Sequence, residues 1–260
     1  MKAVIYRNRY TLITLAAILV FLGIWEIAAR AIGIEVVLPT FTSVCAAFVR
    51  LLGGGTFWLS LLGTLIRSVA GFVIAFVLGV FFGIAAGKYR AVEAVFRPFN
   101  SVMRTVPVAA ITLMLGVWVG SNVIPSLIGM ILIFPVIFEQ SKTAVRTLPK
   151  GLEEIMDEAG ASFPYRFVNL YLPSVLPQLL SNISATFGMN LKAVITAETL
   201  AYTLNGIGLQ IYYAKSNFLY ETPTLFAWVV AAVLMAVGME ILLKLSVKMI
   251  AAGVTRTEIA

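Results

Sequence analysis

The chain has 260 residues, 60% of them hydrophobic and only 12% charged, with 19 Lys and Arg against 12 Asp and Glu. A soluble domain of this length carries about a quarter charged residues, so the composition describes an integral membrane protein with no length left for a second, soluble domain. The net charge of +7 is scattered between apolar runs, which excludes a nucleic-acid surface, and the absence of His excludes Ser-His catalysis.

Lys2, Arg7 and Arg9 precede an apolar run over about 12–29, too long for a signal-peptide core and without a small-residue cleavage site, so it is expected to stay as a first span. Glu26 and Arg30 sit four residues apart at its far end and can pair there. Over 34–57 the chain is only moderately apolar, and Pro39 and Gly53-Gly54-Gly55 interrupt it. A short helix capped by Thr40 or Thr42 is expected at the outer surface. Cys45, the lone cysteine, forms no internal disulfide and reads as a small packing residue.

A second span is expected over about 65–87. Gly71, Ala75, Gly79, Gly83 and Gly87 recur every fourth residue and lay a seam of small side chains along one helix face, where another helix can pack closely. The basic stretch Lys88, Arg90, Arg97 and Arg104 reads as a cytoplasmic loop. Further spans are expected over about 106–119, 123–138, 174–200 and 225–245. The fourth continues as a polar helix through Glu139, Lys142 and Arg146, and Tyr212, Tyr213 and Tyr220 suit an interfacial aromatic belt. Fourteen of the 19 basic residues fall in the parts then assigned to the cytoplasm; Arg30, Arg50, Arg67, Lys192 and Lys215 are the other five. The expected fold is therefore all-α, with six spans and both termini inside.

Between the fourth and fifth spans lies a polar island, Gly151–Pro173. Leu152, Ile155, Met156 and Ala159 form one apolar helix face, and Glu153, Glu154, Asp157 and Glu158 are expected on the opposite one. Pro149 can open this helix and Gly160 can end it in a left-handed turn. After Ala161, Ser162 can cap a second short helix that holds Pro164 in its first turn. The island reads as helix, sharp turn, helix: a rigid knob that needs a partner groove.

The island resembles the EAA motif of ABC importer permeases, Glu-Ala-Ala, three residues, Gly, nine residues, Ile-x-Leu-Pro. Glu154 stands at the Glu position, Gly160 at the Gly, Leu170 at the Ile, and Leu172-Pro173 at the Leu-Pro; Ile155 and Met156 replace the two alanines. Thr64–Phe72, Arg104–Pro107, Leu191–Glu198 and Gly206-Ile207-Gly208 look like further landmarks of the nitrate/sulfonate/taurine-type permeases. The resemblance implies a type I, MetI-like permease in the inner membrane of a prokaryote, with an N-terminal span and external segment over 1–63, a core transport domain over 64–250 containing the coupling loop 147–173, and a cytoplasmic tail over 251–260. It implies that the island docks into a cytoplasmic ATPase and that the chain itself is non-catalytic. Two ATPase copies would bind ATP and Mg, this chain binding no cofactor or metal. An external binding protein would deliver a small anion or vitamin precursor, and a second permease copy would complete the path.

Lys192 lies inside the expected fifth span, where a charge is costly enough to be a candidate for function. Either it lines the path with Asn190, Thr196 and Glu198 and attracts an anion, or it snorkels outward or pairs with another span. The polar residues Asn182, Ser184, Thr186 and Asn190 either line a water-filled cavity or hydrogen-bond to neighbouring helices. Arg67 reads as an interface anchor. The competing classes are an ATP-independent channel or secondary transporter, which would leave the island without a role and for which no internal repeat speaks, and an intramembrane enzyme, for which paired aspartates and His are missing.

Overall fold

A computed structural model describes the backbone over residues 2–257 and the side chains over 12–217 and 221–249. Lys2, Arg7, Arg9, Tyr220 and the tail 251–260 with Arg256 lie outside the described side chains. Among the described residues all regular structure is helical: α1 Lys2–Ile32, α2 Phe41–Leu52, α3 Gly55–Lys88, α4 Arg90–Thr105, α5 Val108–Leu115, α6 Ile124–Arg146, α7 Lys150–Glu158, α8 Phe163–Arg166, a π-helical turn Phe167–Tyr171, α9 Leu172–Ala201, α10 Ile207–Ser216 and α11 Phe218–Thr257. The chain divides into two compact units, Met1–Trp58 with Gln210–Val233, and Leu59–Leu209 with Leu234–Ala260.

In the first unit α2 begins at Thr40, whose hydroxyl accepts from the Ser43 amide at 3.1 Å, and ends at Gly53. Its buried Val44 and Ala47 pack with Ala227, Trp25 and Phe226. Glu26 pairs with Arg30 at 2.8 Å and also accepts from the Thr42 hydroxyl, tying α1 to the start of α2. Trp25 donates its indole N–H to the Pro39 carbonyl at 3.0 Å. Most described apolar residues of α1, Leu15, Leu19 and Phe21 among them, stay exposed, as suits a helix facing lipid.

In the second unit α3 runs against α6 along its small-residue seam. A Cβ at Gly71 would stand 2.4 Å from the Ser126 carbonyl oxygen, one at Gly83 2.6 Å from that of Phe138, and one at Gly87 2.6 Å from the Val145 Cβ. Gly79 faces Ile137 in the same way, and Ala75 is wholly buried. Between helices in lipid there is no hydrophobic gain, so this backbone-close packing supplies the attraction. Behind the seam α6 and α9 share a core of Ile133, Ile137, Phe138, Val175, Leu179 and Phe187. A smaller cluster of Ile124, Ile128, Ala193 and Ala197 seats α5 through Val108, Ile111 and Leu115.

Among the described residues four stretches are long and apolar enough to cross a membrane: Leu12–Ile32, Gly55–Lys88, Ile124–Arg146 and Glu221–Met249. Three elements differ from expectation. α3 starts at Gly55, ten residues before the expected span, because the glycine run that ends α2 also opens α3. The stretch expected as a third span holds only the eight-residue α5, closed by Pro107 at its start and Gly116 at its end; at 1.5 Å per residue it rises about 12 Å, well short of a bilayer core. The basic stretch after Lys88, expected as a loop, is the amphipathic helix α4. Its polar residues Arg90, Glu93, Arg97, Asn100 and Arg104 recur at steps of three and four, a helical period that the charge count alone conceals.

Candidate functional site

The polar island folds into a braced knob in the second unit. Pro149 opens α7, where its missing N–H costs nothing. At the other end Gly160 takes φ +61°, the Ala161 amide bonds back to the Met156 carbonyl at 3.0 Å, and the Gly160 amide to that of Asp157 at 3.0 Å. This is the Schellman arrangement, which satisfies carbonyls that a helix end otherwise leaves open. Arg166 completes the turn: its guanidinium donates to the Ala161 carbonyl at 2.8 Å and the Met156 carbonyl at 3.1 Å, and pairs with Asp157.

The base of the knob is held by charge. Lys88, at the end of α3, pairs with Glu153 at 2.8 Å, and the fully buried Tyr171 donates its hydroxyl to the same carboxylate at 3.1 Å. Beside it Glu93 of α4 accepts from Lys142 at 3.1 Å and Arg146 at 2.6 Å, both on α6. Those two bonds, Arg146 first, hold the Glu93 carboxyl down at about 2. The Arg166 guanidinium holds Asp157 below the usual carboxylate range, whereas burial, with Glu153 next to it, pushes the Tyr171 phenol up.

This geometry corrects the expected faces of α7. Glu153 and Met156, three residues apart, form the inward side: Met156 packs on the core and Glu153 meets Lys88 and Tyr171, while Asp157 stays exposed and pairs with Arg166. The cations waiting there turn the helix about its axis from the register that hydrophobicity alone prescribes. Leu152, Ile155 and Ala159 are exposed, Ile155 at 61%, and of the four acids only Glu154 and Glu158 remain outward without a partner among the described residues. The knob thus presents a small apolar surface edged by two carboxylates. Ser162 occupies the cap position of α8 in an extended conformation, but its side chain makes no capping bond, and α8 is a single turn that runs through the π-helical turn into α9. Leu172 packs half-buried on the core, and Pro173 lies in the first turn of α9, where proline is tolerated.

The expected path residues separate into two pairs. Lys192 and Thr196 lie on an exposed stripe of α9 with Gln178, Ser181, Asn182 and Met189, and among the described residues no carboxylate pairs with Lys192. Asn190 and Glu198 are wholly buried. Asn190 donates to the Ser68 carbonyl of α3 at 2.8 Å, and Gly129 makes room for its oxygen. Ser184 and Thr186 are likewise turned into the protein.

Glu198 is joined by the part-buried Arg67, the residue read from the sequence as an interface anchor. Glu198 pairs with Arg67 at 2.9 Å and accepts from the Thr64 hydroxyl at 2.8 Å and the Gly208 amide at 3.1 Å. Thr64 in turn accepts from the Ile207 amide at 2.9 Å, and Arg67 donates to the carbonyls of Asn205 and Leu204. Tyr202 and Asn205 take left-handed backbone, bringing the chain back over the carboxylate, and a Cβ on Gly206 or Gly208 would lie 2.6 Å from a Glu198 atom. Thr64–Arg67 meets Glu198, 131 positions beyond Arg67, and the nearby Gly206–Gly208 in this one buried cluster. Their glycine spacing is visible in the sequence, but their partner is not.

Comparison with known proteins places this geometry. Over 214 residues, 81% of this chain and 76% of the relative, the sequence is 26% identical to the putative aliphatic sulfonates transport permease protein SsuC of Bacillus subtilis (strain 168). The fold matches a chain of a bacterial ABC transporter involved in the import of the acidic polysaccharide alginate with a TM-score of 0.63 and 14% identity, covering 95% of this chain and 99% of that one. It matches a chain of the MetNI methionine ABC transporter in an inward-facing conformation with a TM-score of 0.56 and 21% identity, covering 74% and 92%. Residues 75–256, from the small-residue seam through the knob to the end of α11, fit the family model of binding-protein-dependent transport system inner membrane components. The chain belongs to that family and is a multi-pass inner-membrane permease of the ABC importer class.

Proposed function

We propose that the chain is the non-catalytic path-forming subunit of an ATP-driven importer for a small anion, working by alternating access. The observation that carries this reading is the knob, an exposed apolar and acidic surface on a short helix that ion pairs and a Schellman turn hold rigidly to the spans. A rigid lever transmits a push, which a mobile loop cannot. Six passages with both termini cytoplasmic follow if α5 and α9 cross with the four long apolar stretches, the α5 passage being completed by its flanking turns. The knob then lies on the cytoplasmic side, where two ATPase copies binding ATP and Mg would dock.

The exposed polar stripe of α9 is expensive against lipid, so it faces an aqueous path shared with a second copy of the chain, with Lys192 and Thr196 on its wall. The likeness to SsuC and the sequence landmarks favour a sulfonate or similar anion brought by an external binding protein. The test is Gly160→Arg, read as solute uptake and ATP hydrolysis in reconstituted complex. A Cβ at Gly160 meets no atom within 4 Å, so the membrane fold survives, while the left-handed backbone and the projecting side chain spoil docking. Uptake is expected to fall to background with the chain still inserted; full uptake would refute the coupling role.

A further inference from the structure

Between α4 and α6, beside the brace of Glu93, lies a cavity of about 540 Å³, within the range of small-ligand sites. Its lining includes Glu93 itself with Arg97, Asn100, Ser101 and Arg104 from α4, and Glu139 and Lys142 from α6. The charges do not cancel. Lys142 is engaged by Glu93 and Glu139, and Glu93 also by Arg146. Arg104 reaches Glu139 only at 4.0 Å and spends a donor on the Pro135 carbonyl at 3.2 Å. Arg97 has no acidic partner among the described residues, so its guanidinium is left over.

Asn100 makes the cavity a site rather than a solvated groove. It is 4% exposed, it lines the cavity, and among the described residues neither its amide nitrogen nor its oxygen has a hydrogen-bond partner. A buried amide with nothing to bind costs free energy unless a ligand satisfies it. We propose that this cavity binds a small oxyanion, held by the Arg97 guanidinium and the Asn100 amide N–H with Ser101 and Arg104 alongside. The donors are forked and charged, which suits carboxylate, sulfonate or phosphate oxygens. The site lies on the knob side of the molecule, because α4 is tied through Glu93 to Arg146 at the foot of the knob. An anion there bridges α4 to α6 next to the lever. It comes either from the transported solute on its way out of the path or from the cytosolic pool.

The site stands on its own residues and not on the importer reading, so it is tested by binding, without transport. The full chain in lipid nanodiscs is titrated calorimetrically with sodium sulfate against sodium chloride of equal ionic strength. Saturable sulfate binding is expected at one site per chain. Arg97→Gln should weaken it about tenfold, the loss of one charge-assisted contact. Asn100→Asp, which keeps the shape and adds a negative charge, should abolish it, with helix content by circular dichroism unchanged in both. Stronger displacement by methanesulfonate than by inorganic phosphate assigns the anion to the exit path, and the reverse order to the cytosol. Wild-type heats no different for sulfate and chloride, or binding unaltered in both folded variants, would overturn the proposal.

Discussion

At the scale of single residues the least substitutable group is Glu198. A wholly buried carboxylate tolerates its surroundings only because Arg67, Thr64 and the Gly208 amide meet it, and removing one partner strands the other. Glu198→Ala should therefore cost about 3–5 kcal/mol, while Glu198→Leu combined with Arg67→Met, which removes both charges, should recover much of that loss. Thermal unfolding in detergent measures it, and a double variant no more stable than Glu198→Ala would show that loss of Glu198 does not strand the Arg67 charge. The sequence marks Glu198 as a rare charge in an apolar run but does not name its partner. Arg67 lies 131 positions earlier, and only the fold makes the two neighbours.

At the scale of elements the periods were legible and the partners were not. The every-fourth-residue seam of α3, the capped α2 and the helix-turn-helix of the island all follow from local spacing. The inward turn of α7 does not, because it depends on Lys88 and Tyr171, which approach from other helices. α4 shows the opposite failure, a helical period present in the sequence and masked by its charges. Its brace has a defined pH range. Glu93 has a folded-state pKa near 2, below its unfolded value, so its contribution is complete above about 4.5 and is lost only as pH falls through about 2. Hydrogen exchange in α4, corrected for intrinsic rates, should accordingly show the same protection at pH 7 and pH 5.5, and Glu93→Gln should lower it at both. Protection that drops in the wild type between those pH values would show that other groups hold α4 in place.

At the scale of the whole molecule, hydropathy and the island spacing were enough to place the chain in its family, because both are local patterns that survive low overall identity. The count of crossings is harder to read, since α5 is short and α9 carries polar residues on the face argued to meet a second copy. Whether the knob is the surface on which an ATPase acts is decided by crosslinking from it. With Cys45 replaced by serine and Ile155 by cysteine, a thiol-to-amine crosslinker is added to membranes of the native cells, and the adduct is identified by mass spectrometry. An adduct with an ATP-binding subunit is expected, absent when the cysteine is moved to the exposed Leu19 of α1. An ATPase that co-purifies with the chain yet never crosslinks through position 155, in a variant that still transports, would contradict it.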